Sequence, residues 1–107
     1  NRYVPNGVPG SRAPHCWVGD DVSIHDRFGR DFTLLRLGGS SASASPLEAA
    51  AKARGMPLTV LDLPGAEPRE LYGRDLVLVR PDHHIAWRGD ALPANAAGLV
   101  DRVLGFA

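Results

Sequence analysis

A second cysteine, a surplus of charge and a long apolar run are all missing from this chain, and each absence excludes a class of function. Cys16 is the only cysteine in 107 residues. One thiol rules out an internal disulfide and a CxxC redox pair, and it fits a reducing compartment, so a cytoplasmic location is expected. Twelve basic residues balance twelve acidic ones. Polyanion binding needs a basic surplus or patch, so no nucleic-acid partner is expected. No stretch of about 18 apolar residues occurs, which argues against a membrane span. The opening Asn1-Arg2-Tyr3-Val4-Pro5 has no apolar signal region. Because the chain does not begin with Met, the expectation is a piece of something longer, or a processed product.

Catalytic motifs are also lacking. Gly38-Gly39-Ser40-Ser41 matches neither the P-loop nor GxGxxG, and no GxSxG elbow is present. His83 and His84 lie near Asp82 and Asp90. Adjacent side chains at a strand start point to opposite faces, so they do not readily share one ion, and a polar hairpin tip is the better reading. His25 and Asp26 have no partner at metal-ligand spacing. No metal site is expected.

What the chain does have is a hydrophobic content of 44% and a charged content of 22%, ordinary for one soluble globular domain. Its centre is the run Leu76-Val77-Leu78-Val79, a strand buried on both faces. Pro81 and Asp82 stop it, and Ile85-Ala86-Trp87-Arg88 resumes as the second arm of a hairpin with its tip near Pro81-Asp82. Trp87 beside Arg88 offers a surface for stacking a ligand, against the plainer role of covering the core.

Residues 1–21 read as an extended arm or linker to an upstream domain, because Pro5, Gly7, Pro9, Gly10 and Pro14 are too dense for helix or strand. Tyr3, His15, Cys16, Trp17 and Val18 are costly to leave in water, so the arm is expected to lie across its own or a neighbouring surface. The domain proper then spans residues 22–107. Residues 22–25 alternate as an edge strand, and residues 26–29 follow as a turn. Residues 32–37 form a buried strand in which the charge of Arg36 needs a partner. After a serine-rich loop, Ser45 is placed as N-cap, Pro46 at the first helical position and Gly55 at the end of a helix. Residues 58–63 form the next strand, completing a right-handed βαβ unit. A short helical turn runs from Pro68 to Tyr72 and ends at Gly73. Asn95 caps a last helix striped by Ala96, Leu99, Val100 and Val103.

The order βαβ, hairpin, α is the minimal thioredoxin-like architecture, an α/β fold with a mixed sheet flanked by helices. The strands at 33–37 and 76–79 are expected at its centre. The place after the first βαβ strand, where a redox thiol would sit at a helix N-terminus, holds serines, and Arg74-Asp75 stands where a cis-proline would precede the hairpin. Both departures argue against disulfide exchange. Cys16, with His15 next to it, leaves one enzymatic alternative: a free-standing thioredoxin- or peroxiredoxin-like protein. A small-molecule carrier using the sheet face near Trp87 is a third reading.

Three stretches carry a family resemblance. They are Pro9-Gly10-Ser11-Arg12-Ala13-Pro14-His15-Cys16-Trp17-Val18, Ser23-Ile24-His25-Asp26-Arg27-Phe28-Gly29-Arg30-Asp31-Phe32-Thr33-Leu34-Leu35, and Leu76-Val77-Leu78-Val79-Arg80-Pro81-Asp82-His83-His84-Ile85-Ala86-Trp87-Arg88-Gly89. In this order they resemble the C-terminal region of FAD-dependent aromatic-ring hydroxylases, the group of phenol, hydroxyphenylpropionate and polyketide hydroxylases. The resemblance implies a thioredoxin-like domain without redox cysteines, an accessory part of a flavoprotein monooxygenase. It implies FAD and NAD(P)H for the parent chain and none for this segment, and it assigns no catalytic residue here. It implies upstream FAD and substrate domains of the same chain as partners, with homo-oligomer contacts in some relatives. Arg12, Pro14, His15 and Trp17 fall at the junction and are the candidates for interdomain packing.

Overall fold

The computed structural model describes residues 10, 12–19, 22–28 and 31–105. Tyr3, Pro5, Gly7 and Pro9 of the expected arm, and Gly29 of the expected turn, lie outside the described residues. A four-stranded mixed sheet forms the middle layer. Its strands are β3 (Phe32–Leu37), β4 (Leu58–Leu63), β5 (Leu76–Val79) and β6 (Ile85–Gly89), in spatial order β4-β3-β5-β6. β3 pairs with β4 in parallel, while β5 is antiparallel to both β3 and β6. The two most continuous apolar runs are thus the two central strands, as the sequence predicts. Leu34, Leu35 and Leu76 to Val79 are all fully covered.

The period of two in these strands sorts their side chains onto two faces. On one face Leu34, Leu76 and Leu78 meet α2 (Ser45–Ala53) and α4 (Ala96–Val103), through Leu47, Ala50, Ala51, Leu99 and Val100. The alanines of α2 let it lie close on the sheet. On the other face Leu35, Leu37, Val77 and Val79 meet Ala13, Cys16, Ile24, Phe28 and Tyr72. This second layer is made of the arm, α1 (Ile24–Arg27) and α3 (Ala66–Tyr72). Covering one such Leu is worth about 1.5–3 kcal/mol. Thr33 Oγ1 is buried here with no hydrogen-bond partner among the described residues.

Arg36 finds its partner across the β3–β4 ladder. Its Nε and Nη2 donate to Asp62 Oδ1 and Oδ2 at 2.6 and 3.0 Å, and its Nη1 donates to Ala42 O at 3.1 Å. Register puts the two residues opposite each other.

Four local expectations need correction. Ile24 and His25 are helical, not strand: β2 holds only Val22–Ser23, and the expected turn at Asp26 and Arg27 is the remainder of α1. The cause is a capping box, in which Ser23 Oγ accepts from the His25 backbone and the Asp26 carboxylate accepts from Ser23 N. The arm does contain a strand, β1 (Trp17–Gly19), antiparallel to β2. Ser45 is the first residue of α2 rather than its cap; the cap is Ala44, which offers no side-chain acceptor. α3 begins two residues before Pro68, after Gly65, and does end at Gly73, whose φ of 81° suits glycine. Asn95 caps α4 as expected, Oδ1 accepting from Gly98 N at 2.9 Å.

Candidate interdomain face

Arm residues 12–16 are bolted to their own domain. Gly10 N donates to Ile85 O at 2.8 Å, and Ala13 N to His83 O at 2.7 Å. Arg12 bridges antiparallel to His84. The arm thereby covers the start of β6, an edge strand that would otherwise present unpaired backbone. Further along, Cys16 O accepts from Ile24 N at 2.8 Å. Ala13 and Cys16 are buried at 2% and 4% exposure.

Two side chains from the domain fix the arm's carbonyls. The phenol of Tyr72, itself fully buried, donates to Pro14 O at 2.6 Å. Burial, and to a lesser degree the nearby Cys16 thiol, pushes the phenol well above the ordinary tyrosine range, so it stays a donor. His25 Nε2 lies 2.7 Å from Ala13 O. A carbonyl only accepts, so this nitrogen carries the proton. The His25 ring packs 5.3 Å from His83 and 5.5 Å from Phe28, and His83 meets Phe28 edge-on at 5.2 Å. His84 turns the other way, onto Asp82. The two adjacent histidines therefore diverge, and among the described residues no group of three or more ligating side chains could hold a metal ion.

His15 and Trp17 point outward. Their rings meet at 4.7 Å and 86°, and His15 Nδ1 hydrogen-bonds Ser23 Oγ at 2.7 Å. Trp17 is 57% exposed, the one large apolar side chain among the described residues left so. It borders a cleft of about 330 Å³ lined by residues 63–68. Of the four junction candidates, Pro14 is held through its carbonyl, Arg12 sits exposed beside His84, and His15 and Trp17 form one exposed pair. Sequence reasoning missed the meeting of His15, His25 and His83, because they come from three separate elements and no local spacing announces it.

The chemistry open to this face is narrow. Cys16 is buried, and burial followed by the charge of Glu67 raises its thiol pKa. A nucleophilic thiol needs the opposite. After β3, Gly38 and Gly39 form an exposed turn beside the Arg69 side chain, whose Nε donates to Asp75 Oδ1 at 2.6 Å. Trp87 is half-buried against the α2/α4 core, and Arg88 Nη1 donates to Tyr72 O at 2.9 Å.

A family model described as "Aromatic-ring hydroxylase, C-terminal" matches residues 6–107. The FAD-dependent monooxygenase apdD of Emericella nidulans is 36% identical over 110 residues, covering 99% of this chain and 17% of that protein. Aklavinone 12-hydroxylase RdmE of Streptomyces purpurascens is 36% identical over 118 residues, covering 97% of this chain and 22% of its own. The structure of the rebeccamycin biosynthetic enzyme RebC with reduced flavin superposes with a TM-score of 0.92 at 44% identity, over 99% of this chain and 20% of that one. The chain therefore spans about one-fifth of the length of the relatives it matches. The reading of Cys16 as the centre of a free-standing redox protein finds no support. With its mixed sheet, its covered thiol and a match along nearly all its length, the chain belongs to the C-terminal domain family of aromatic-ring hydroxylases.

Proposed function

We propose that this chain is the accessory C-terminal domain of an FAD- and NAD(P)H-dependent monooxygenase that hydroxylates an aromatic ring. The observation that carries the reading is the match to the C-terminal hydroxylase family over residues 6–107. The flavin, the nicotinamide and the substrate belong to upstream domains of the same chain. The role of this domain is to pack against them and support assembly, with Arg12, Pro14, His15 and Trp17 as the interdomain face and homo-oligomer contacts as a further role. The burial of the Cys16 thiol supports an absence of thiol catalysis here. Among the described residues no helix is long and apolar enough to cross a membrane, and the proposed location is the cytoplasm.

Deleting residues 1–107 from the intact parent tests the role. The expected outcome is a protein with reduced flavin content, altered assembly or shortened thermal lifetime, read by the flavin-to-protein absorbance ratio and light scattering. A parent that keeps its activity, flavin and assembly without this domain contradicts it.

A further inference from the structure

Both backbone groups of Ala13, a buried residue of the arm, are taken by histidines. Its N–H donates to His83 O at 2.7 Å, and its C=O accepts from His25 Nε2 at 2.7 Å. The rings of these two histidines lie 5.3 Å apart, and Phe28 packs against both. His15, on the arm itself, brings a third ring 6.1 Å from His25. Titratable rings from three elements thus meet at one short clasp on the arm.

The surroundings favour uncharged rings. Arg12 on the arm and His84 on the hairpin also face His83, and burial, then the charges of His25 and Arg12, lowers its pKa. The neighbouring carboxylates are already engaged. Asp26 on α1 accepts from Ser23 N at 3.3 Å, and Asp82 accepts from Arg80 Nη2 at 2.8 Å and from His84 N at 3.0 Å. On α3, the Tyr72 phenol holds Pro14 O and stays protonated, while Glu67 acts on the Cys16 thiol. One proton on the pair is tolerable, since a charged His25 still donates to Ala13 O. A second proton sets two imidazolium rings 5.3 Å apart, so the two titrations are coupled.

We propose that His25 and His83 form an acid-released latch, which clasps Ala13 when the pair is uncharged and frees residues 12–16 from the hairpin when both rings are protonated. The released segment bares the start of β6 and the thiol of Cys16. Because the closed state disfavours the charged rings, its hold is full above about pH 6.5 and is lost as the pH falls through the folded value. The latch acts within this domain and does not depend on what lies upstream.

Hydrogen exchange at the Ala13 amide of the full-length protein tests the latch between about pH 7.5 and 5.5, after correction for the intrinsic pH dependence of exchange. One proton taken up on opening shifts the equilibrium by up to about ten-fold per pH unit, so protection is expected to fall about ten-fold or more. At each pH it is expected to stay well below that of the β5 amides, the mark of the arm opening by itself. His83→Asn tolerates the left-handed turn, and His25→Gln can still donate to Ala13 O. Each removes one of the two charges and is expected to flatten the fall to about two-fold. Cys16 gives a reading that needs no variant. Its rate of reaction with dithiodipyridine, taken relative to glutathione under the same conditions, is expected to rise about ten-fold on acidification. Four results overturn the proposal: a flat wild-type profile, an undiminished fall in either variant, protection of Ala13 equal to that of β5 at each pH, or a relative Cys16 rate that does not rise.

Discussion

At the tip of the β5–β6 hairpin, His83 adopts a φ of 68°, the one positive value outside glycine among the described residues. Its N–H donates to Arg80 O at 2.8 Å across a turn made by Pro81 and Asp82. A left-handed conformation costs a residue with a Cβ roughly 1–2 kcal/mol. The ring is folded in against Phe28 and His25, where burial, then the charges of His25 and Arg12, lowers its pKa from the ordinary histidine value; Asp82 opposes the shift and His84 adds to it. His15 and Asp26 are the other titratable groups around His25. Because the folded pKa is depressed, the unfolded chain binds more protons as the pH drops. The contribution of His83 to stability is therefore complete above the unfolded value of about 6.5 and is lost as the pH falls through the folded value. Urea unfolding between pH 7.5 and 5.5 is expected to show a midpoint that declines with acidification. In His83→Asn, which keeps a side chain tolerant of the left-handed turn, the decline should be shallower. Parallel profiles for the two proteins contradict this account.

Among the elements, the arm is held by few bonds from distant parts of the chain, and the side chain of Tyr72 supplies one of them, reaching 58 residues back to Pro14. Tyr72→Phe leaves the Pro14 carbonyl without its donor at a cost of about 1–3 kcal/mol. Hydrogen exchange should then speed up at Ala13 N and Ile24 N, the amides that tie the arm to the hairpin and to α1, while the amides of β3 and β5 keep their protection. Uniform acceleration across the sheet would instead mean that arm and core open as one unit. The same contrast explains what was legible in the sequence. The βαβ unit, the hairpin with its tip at Pro81-Asp82 and the Asn95 cap rest on periodicity and on turn chemistry within a few residues, so they could be read directly. The helix at Ile24–Arg27 was legible too, since Ser23 and Asp26 stand at capping-box spacing, but the alternation of Val22-Ser23-Ile24-His25 competed with that signal. The pairing of Arg36 with Asp62 announced itself as a charge within an apolar strand in need of a partner, though not which partner. The convergence of His15, His25 and His83 had no local signal at all, because it depends on where the arm, α1 and the hairpin tip meet once the sheet is built.

For the whole molecule, the sheet's two faces have different employment. The α2/α4 face is a packed core, tied on its outside by the Arg54–Asp101 ion pair and bordered by a cleft of about 530 Å³ at residues 80–82 and 103–105. The arm/α1/α3 face carries the exposed Trp17, the cleft at residues 63–68 and the buried thiol of Cys16. The most direct measurement is the intact mass and absorbance of the native gene product isolated from its source cells. The account predicts a chain about five times the 11.4 kDa of this one, in proportion to its RebC relative, with an oxidised-flavin absorption band. A colourless product of 11.4 kDa would contradict it.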